Sequence, residues 1–354
     1  HDDTHMTPKI IFSRRHAAHG RAAARTAVQG LTLVELMIAM MLGLLVVGSA
    51  SAIFISNRQT YRATEGLGRV QENGRIAFEM MARDVREAGG NPCGNADRKE
   101  PLKLVSVLNA TSNWWANWNN GIIGYEAAMT TAPANRIAGT DAVLLMSGDS
   151  SSAVTVVDHV PTAAQFQLNT SSHNLNDGDI AIVCDWRQAS LFQVTNAQPD
   201  INTTVVHNTG GTALPGNCSK GLGYANPPNC TVNGTPYEYG PNSMIVRLHA
   251  VRWFVGSTPG GGRSLFRSTL VNQGGALQAR DQEIAEGVND MQLQYLLEGG
   301  AGYVDATAVP ANRWTDVTAV RVTLDLLSDD RAGIGGAQLQ RRIGHTVTLR
   351  NRME

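Results

Sequence analysis

One carboxylate stands in an apolar run long enough to cross a membrane. Glu35 is the only ionisable residue between Leu31 and Ile55, and it lies five residues past Gly30. Placing a carboxylate in the middle of hydrocarbon costs about 2.5–3.5 kcal/mol on insertion scales. The chemistry that offsets such a cost is charge pairing, yet no Lys, Arg or His lies between Thr26 and Asn57. The missing cation can be made. Cleavage after Gly30 would leave Leu31 with a new ammonium group close to Glu35.

Other residues could do chemistry, and each is weaker. Met146-Ser-Gly-Asp-Ser150 has the Gly-Asp-Ser of some esterases but reads as a polar turn between two strands. His345 is not accompanied by the Asp-x-x-His that a triad would need near the C-terminus. Asp177-Gly-Asp179 and Asp329-Asp330 could each lend oxygens to calcium, but one acidic turn falls short of a ligand set. They read as turns. Trp114, Trp115 and Trp118 sit among Asn113, Asn117, Asn119 and Asn120. Local packing is the plain reading; a contact surface for a partner subunit or a glycan is the sharper one.

Four cysteines, Cys93, Cys184, Cys218 and Cys230, all follow the apolar run. An even count on the exported side predicts two disulfides, with three connectivities open. The favoured one joins Cys218 to Cys230 across a short Gly/Pro/Asn-rich loop and Cys93 to Cys184, pinning a helix end to a strand. No CxxC spacing or nearby His supports a metal site, so no metal and no cofactor is expected.

The elements that must position Glu35 follow from periodicity. Twenty-five residues of helix rise about 37 Å, against about 30 Å of hydrocarbon. Ahead of them Lys9, Arg14, Arg15, Arg21 and Arg25 outweigh Asp2 and Asp3 by +3. Such a leader stays in the cytoplasm and the rest is exported. Two readings compete: a plain transmembrane anchor with Glu35 near the interface, and an ordinary secretory signal with Ala50-Ser51-Ala52 as its cleavage site and Ile53 as the new start. Met6 is the expected initiator. His1, His5, His16 and His19 fall in the disposable leader and are not read as ligands.

Past Ile55 the pattern turns amphipathic without a break. Leu67, Val70, Gly74, Ala77, Met81, Val85 and Ala88 recur at spacings of three and four, with Arg69, Glu72, Arg75, Glu79, Arg83 and Arg86 on the other surface. Gly89-Gly90-Asn91-Pro92 ends the pattern, so one helix is predicted from about Leu31 to Ala88. Short β-rich runs follow at 141–146, 153–157, 179–184, 190–195, 244–255, 264–271, 288–296 and 317–327, with a last strand possible at 346–349. Val320, Val322, Leu324 and Leu326 alternate with Arg321, Thr323 and Asp325, which buries one face. The chain after Gly30 carries a formal charge of −4, the whole-chain −1 less the leader's +3. No basic field argues for nucleic acid.

Gly30-Leu-Thr-Leu-Val-Glu-Leu36 resembles the class III signal of type IV pilins and type II secretion pseudopilins. The stretch Val70 to Gly90, the run Cys184 to Thr195, and Glu286 to Tyr295 with Trp314 to Leu324 resemble minor pilins of the PilW kind and, in the last pair, J-type pseudopilins. The resemblance implies an α+β, pilin-like fold: a leader at 1–30, a helix at 31–90 and a β-rich periplasmic domain at 91–354. It implies cleavage after Gly30, methylation of Leu31, and Glu35 as the assembly glutamate that contacts a neighbour's N-terminus. Leu31 stands where phenylalanine or methionine is commoner. The absence of a proline near Ala52 favours a minor pilin or pseudopilin over a major pilin. The implied role is structural: assembly in a pilus-initiating or tip complex. The implied partners are other minor pilins, the major pilin, the prepilin peptidase and the inner-membrane assembly platform, with the chain moving from inner membrane to pilus. A J-type pseudopilin is the alternative, and a membrane-anchored periplasmic adhesin or enzyme the second.

Overall fold

The computed structural model describes residues 30–93, 103–109, 112–116, 118, 121–127, 135–329, 331, 333 and 336–352. The basic leader residues therefore lie outside the described residues. The chain divides into two compact units between Arg58 and Gln59.

Helix α1 spans Leu33–Glu87. Thr32 opens it: its Oγ1 accepts the Glu35 N–H at 3.2 Å, and its carbonyl accepts the Leu36 N–H at 3.1 Å. Thr-x-x-Glu at this point is the sequence of a capping box. In the first unit the side chains from Leu31 to Ile55 are exposed all round the helix. Among the described residues this is the one helix long and apolar enough to cross a membrane.

In the second unit α1 has an inward face. Gly66, Val70, Gly74, Ala77, Met81, Ala82, Asp84 and Val85 are buried. Leu67, expected on that face, is exposed, and Gly66 takes its place. The reason is close approach at the two neighbouring glycines: a Cβ on Gly74 would fall 2.6 Å from Ile343 Cδ1, and one on Gly66 would touch Leu339. Gly89, at a left-handed φ of 75°, ends the helix and donates to the Met146 carbonyl.

Among the described residues fifteen strands follow: β1 (Lys103–Ser106), β2 (Ile122–Tyr125), β3 (Ala142–Val160), β4 (Gln165–Leu168), β5 (Ile180–Cys184), β6 (Gln188–Gln193), β7 (Asn196–Ala197), β8 (Thr204–Val206), β9 (Met244–Ser257), β10 (Arg263–Gln273), β11 (Ala276–Glu286), β12 (Val288–Leu297), β13 (Tyr303–Asp305), β14 (Val317–Leu327) and β15 (Gln340–Thr348). The larger sheet runs β1-β6-β5-β9-β3-β4-β8-β7, with β2 beside β3 and the β10–β11 hairpin beside β9. β1 and β6 pair in parallel; the other pairs are antiparallel. The smaller sheet runs β13-β12-β14-β15, all antiparallel. The architecture is thus α+β: a long N-terminal helix followed by a mixed, largely antiparallel β domain.

The main core lies where α1 meets both sheets. Val70, Ala77, Met81 and Val85 share one cluster with Val251, Trp253 and Val255 of β9 and with Met291, Leu293, Val320, Val322 and Leu324 of the smaller sheet. Asp141 ties the sheets together: its N–H donates to the Met291 carbonyl and its Oδ2 accepts the Leu293 N–H at 2.7 Å. Burial pushes its carboxyl up to about 7.

Met146–Ser150 is not a turn between two strands. It is part of β3, which pairs with β9 on both sides of an irregularity between Asp149 and Val154. Side chains absorb the irregularity. Asp149 pairs with Arg247 of β9 at 3.0 Å, and Ser152 Oγ donates to the Asp149 carbonyl while accepting the Arg247 N–H.

Candidate assembly site at the helix N-terminus

The sequence points to Gly30, Leu31 and Glu35, and the structure places all three at the start of α1. Gly30 and Leu31 precede the helix and are exposed, Leu31 at 72%. Glu35 is the third helical residue, one turn in and exposed. A carboxylate there meets the positive end of the helix dipole, which typically contributes 0.3–1 kcal/mol. The cap fixes the first turn, so the charge is held at the helix end and not at the middle of the span. Glu35 is followed by a sleeve of exposed Leu, Met, Ile, Val and Phe side chains to Ile55, broken by the small residues Gly48 to Ala52. The arrangement offers one oriented anion and an apolar surface. It can bind a cation and a second helix.

The other sequence candidates are dispersed. The structure links Cys93 to Cys184 and Cys218 to Cys230, one of the three connectivities open to the sequence. The first joins the segment just after α1 to β5. Trp115 is 6% exposed and packs with Leu144, Ile182, Leu191 and Val246, so its side chain is core and not contact surface. Trp114 is half-buried under the Arg252 guanidinium, 4.3 Å from its ring centroid; Trp118 is also half-buried. Asn117, Asn119 and Asn120 lie outside the described residues. In the 177–179 turn Asp179 accepts from the Asn176 N–H and from Asn272 Nδ2, and Asp177 accepts from the Ala197 N–H. These carboxylates serve the fold. Asp329 is exposed and Asp330 lies outside the described residues. Among the described residues no group of three or more His, Cys, Asp or Glu is placed to hold a metal.

Sequence reasoning passed over the residue that anchors the helix. Asp84 is 6% exposed on the inward face of α1. Its Oδ2 accepts Trp253 Nε1–H and Arg267 Nε–H, both at 2.8 Å, and its Oδ1 accepts Arg267 Nη2–H at 2.9 Å. The bidentate pair joins α1 to β9 and β10. Arg267 Nη2–H also donates to His249 Nε2 at 3.2 Å, because a guanidinium has no acceptor. Burial holds His249 below its usual pKa, with Asp84 opposing. His249 faces Ser147 across the β3–β9 pair, but its Nε2 is engaged by Arg267 and is not free to serve that hydroxyl. The signal for Asp84 was present in the sequence: it falls three residues after Met81 and seven after Ala77, on the apolar stripe. A carboxylate there demands a buried donor.

A second buried polar pair lies in the larger sheet. The Tyr239 N–H donates to His159 Nδ1 at 3.1 Å, so His159 carries its hydrogen on Nε2 and donates to His207 Nε2 at 3.1 Å. Both rings are neutral. Burial lowers His159 to about 4 and His207 to about 3.

Two family profiles match the chain. One, described as Type IV Pilus-assembly protein W (PilW), matches residues 252–351; the other, described as Prokaryotic N-terminal methylation motif, matches residues 25–51. Over residues 252–351 the chain is similar to the PilW family of pilus-assembly proteins, and at its N-terminus it carries the methylation motif. No curated protein matches it. The methylation motif covers Gly30, Leu31 and Glu35. The PilW segment begins at Arg252 in β9 and runs through β15, so it includes Trp253 and Arg267. Asp84 lies between the two matched segments and reaches into the PilW segment through those two side chains.

Proposed function

We propose that this PilW-type chain is a non-enzymatic minor pilin that joins an initiating or tip complex of a type IV pilus. A prepilin peptidase removes the leader after Gly30, and the new ammonium of Leu31 is methylated. Glu35 then accepts the N-terminal ammonium of a neighbouring subunit, while the apolar sleeve from Leu31 to Ile55 packs against that neighbour's helix. The domain after Arg58 is exported to the periplasm and carried to the pilus.

The observation that supports this most is the station of Glu35. It is exposed in the first turn, capped through Thr32, and followed by 22 residues without another charge. A carboxylate left unpaired in a low-dielectric bundle is costly, so docking out of register is penalised. Glu35 sets register, and helix packing supplies most of the cohesion. The test is Glu35→Val in cells that carry the other minor pilins. The variant is expected to insert and fold but to lose co-purification with its partners. Normal co-purification would refute the role. The PilW match favours the pilus over type II secretion as the machine.

A further inference from the structure

The one tryptophan mounted outward among the described residues is Trp186, at 84% exposure. It sits in the tight turn from β5 to β6, Asp185-Trp186-Arg187-Gln188. The turn is rigid. Asp185 Oδ1 accepts the N–H groups of Arg187 and Gln188 at 2.7 and 2.9 Å, and the Asp185 N–H donates to the Gln188 carbonyl. Asp185 Oδ2 accepts the Tyr237 hydroxyl at 2.5 Å. The residue before the turn, Cys184, is held by its disulfide to Cys93.

Around this turn the surface alternates ring and cation. Arg187 lies 5.4 Å from the Trp186 ring centroid. Lys103, the register partner of Gln188, lies 5.9 Å from the ring of Tyr224. Gln188 joins the two halves, because its Oε1 accepts the Tyr224 N–H at 3.0 Å. Trp186, Arg187, Lys103 and Tyr224 are all exposed. The carboxylate of the turn itself, Asp185, is engaged at both oxygens. A tryptophan so exposed normally lies at an interface, since a large aromatic face in water forgoes burial.

We propose that this patch is a binding platform for an acidic polysaccharide, with one sugar face stacked on Trp186 and a sugar carboxylate held by Arg187 and Lys103. The choice of ligand rests on charge density. Two cations beside two rings match a chain with a carboxylate on some of its sugars. Nucleic acid carries a phosphate on every residue and is held by a longer basic track.

The test uses the full chain in detergent, titrated with short hyaluronan oligomers, in which every second sugar carries a carboxylate, with neutral dextran and with single-stranded DNA. Saturable binding of hyaluronan is expected, with dextran at least tenfold weaker. Trp186→Ala and Arg187→Gln should each weaken it at least tenfold, and Trp186→Phe, which keeps a ring, by no more than about threefold. The slope of log affinity on log salt should be no steeper than about −2, as two cations allow. Unchanged near-UV circular dichroism would show that each variant is folded. No binding, binding indifferent to both substitutions, or tighter binding of the DNA through the same residues would overturn the proposal.

Discussion

Removing the carboxylate of Asp84 tests how the helix is held to the β domain. The Arg267 side chain is 18% exposed and that of Asp84 5%, so the pair is largely desolvated. Breaking a buried pair from one side costs about 3–5 kcal/mol, because the partner charge is left behind. Trp253 Nε1–H would also lose its acceptor, and an orphaned buried donor costs about 1–3 kcal/mol. Both donors use Asp84 Oδ2, so the two losses overlap, and the small access of Arg267 to water trims the first. Asp84→Ala should therefore destabilise by about 3–5 kcal/mol. Asp84→Asn, which keeps one acceptor oxygen, should lose about half as much. Urea denaturation of the chain in detergent, followed by tryptophan fluorescence, measures this. The double substitution Asp84→Leu with Arg267→Met removes both charges and should recover at least 1 kcal/mol of the single-variant loss. A loss under 1 kcal/mol for Asp84→Ala, or a double variant as weak as the sum of its parts, would refute the anchoring argument.

Further outcomes follow from the same structure. His159 and His207 hold folded pKa values below the ordinary 6.5, so the unfolded chain binds more protons below that pH. Stability should fall as pH drops from about 6.5 towards 4, by up to about 1.4 kcal/mol per pH unit for each ring, and pH-dependent urea midpoints would show it. Asp141 works in the opposite sense. Its folded pKa of about 7 lies above the ordinary 3.8, so the folded state binds the extra proton and stability falls as pH rises through that window. Asp141→Asn keeps an acceptor for the Leu293 N–H and should gain about 1–3 kcal/mol at pH 8, but not at pH 4. Gly68 has open space where a Cβ would go, while Gly74 meets Ile343. Gly68→Ala should gain about 0.5–1 kcal/mol and Gly74→Val should lose about 2 kcal/mol or more. The Cys93–Cys184 bridge spans 91 residues and Cys218–Cys230 spans 12. In the chain-entropy account, replacing the first pair with serine should cost about 1.8 kcal/mol more than replacing the second.

The sequence made some elements legible because their signals are local. The apolar run, its single glutamate and the amphipathic continuation give α1 to within two residues at its start. Alternation in 317–327 gives β14 and its buried face. The polar β11, Ala276–Glu286, was not legible: it is an exposed edge strand whose partner β10, and not its own side chains, makes it a strand. The short strands β1, β2, β4 and β8 were missed for a related reason, since three or four residues carry too little periodicity to register. The 146–150 run looked like a turn because Ser, Gly and Asp usually mark one; here Arg247 and Ser152 satisfy the polar groups inside a ladder. Asp84 was hidden by its neighbours. Arg83 and Arg86 made the stretch look like a solvated face, and only the count from Ala77 and Met81 places it inward. Trp115 and Trp186 show the converse limit: composition marks a tryptophan as notable, but contact order in the fold decides which faces water.

In the proposed function the chain becomes a pilin subunit when cleavage after Gly30 exposes Leu31 beside Glu35. The most direct measurement is the mass of the N-terminal peptide of the chain recovered from cells. A peptide that begins at Leu31 and carries one added methyl group is the predicted result. A peptide that begins at Ile53, or one that retains Gly30 and the residues before it, would contradict the account.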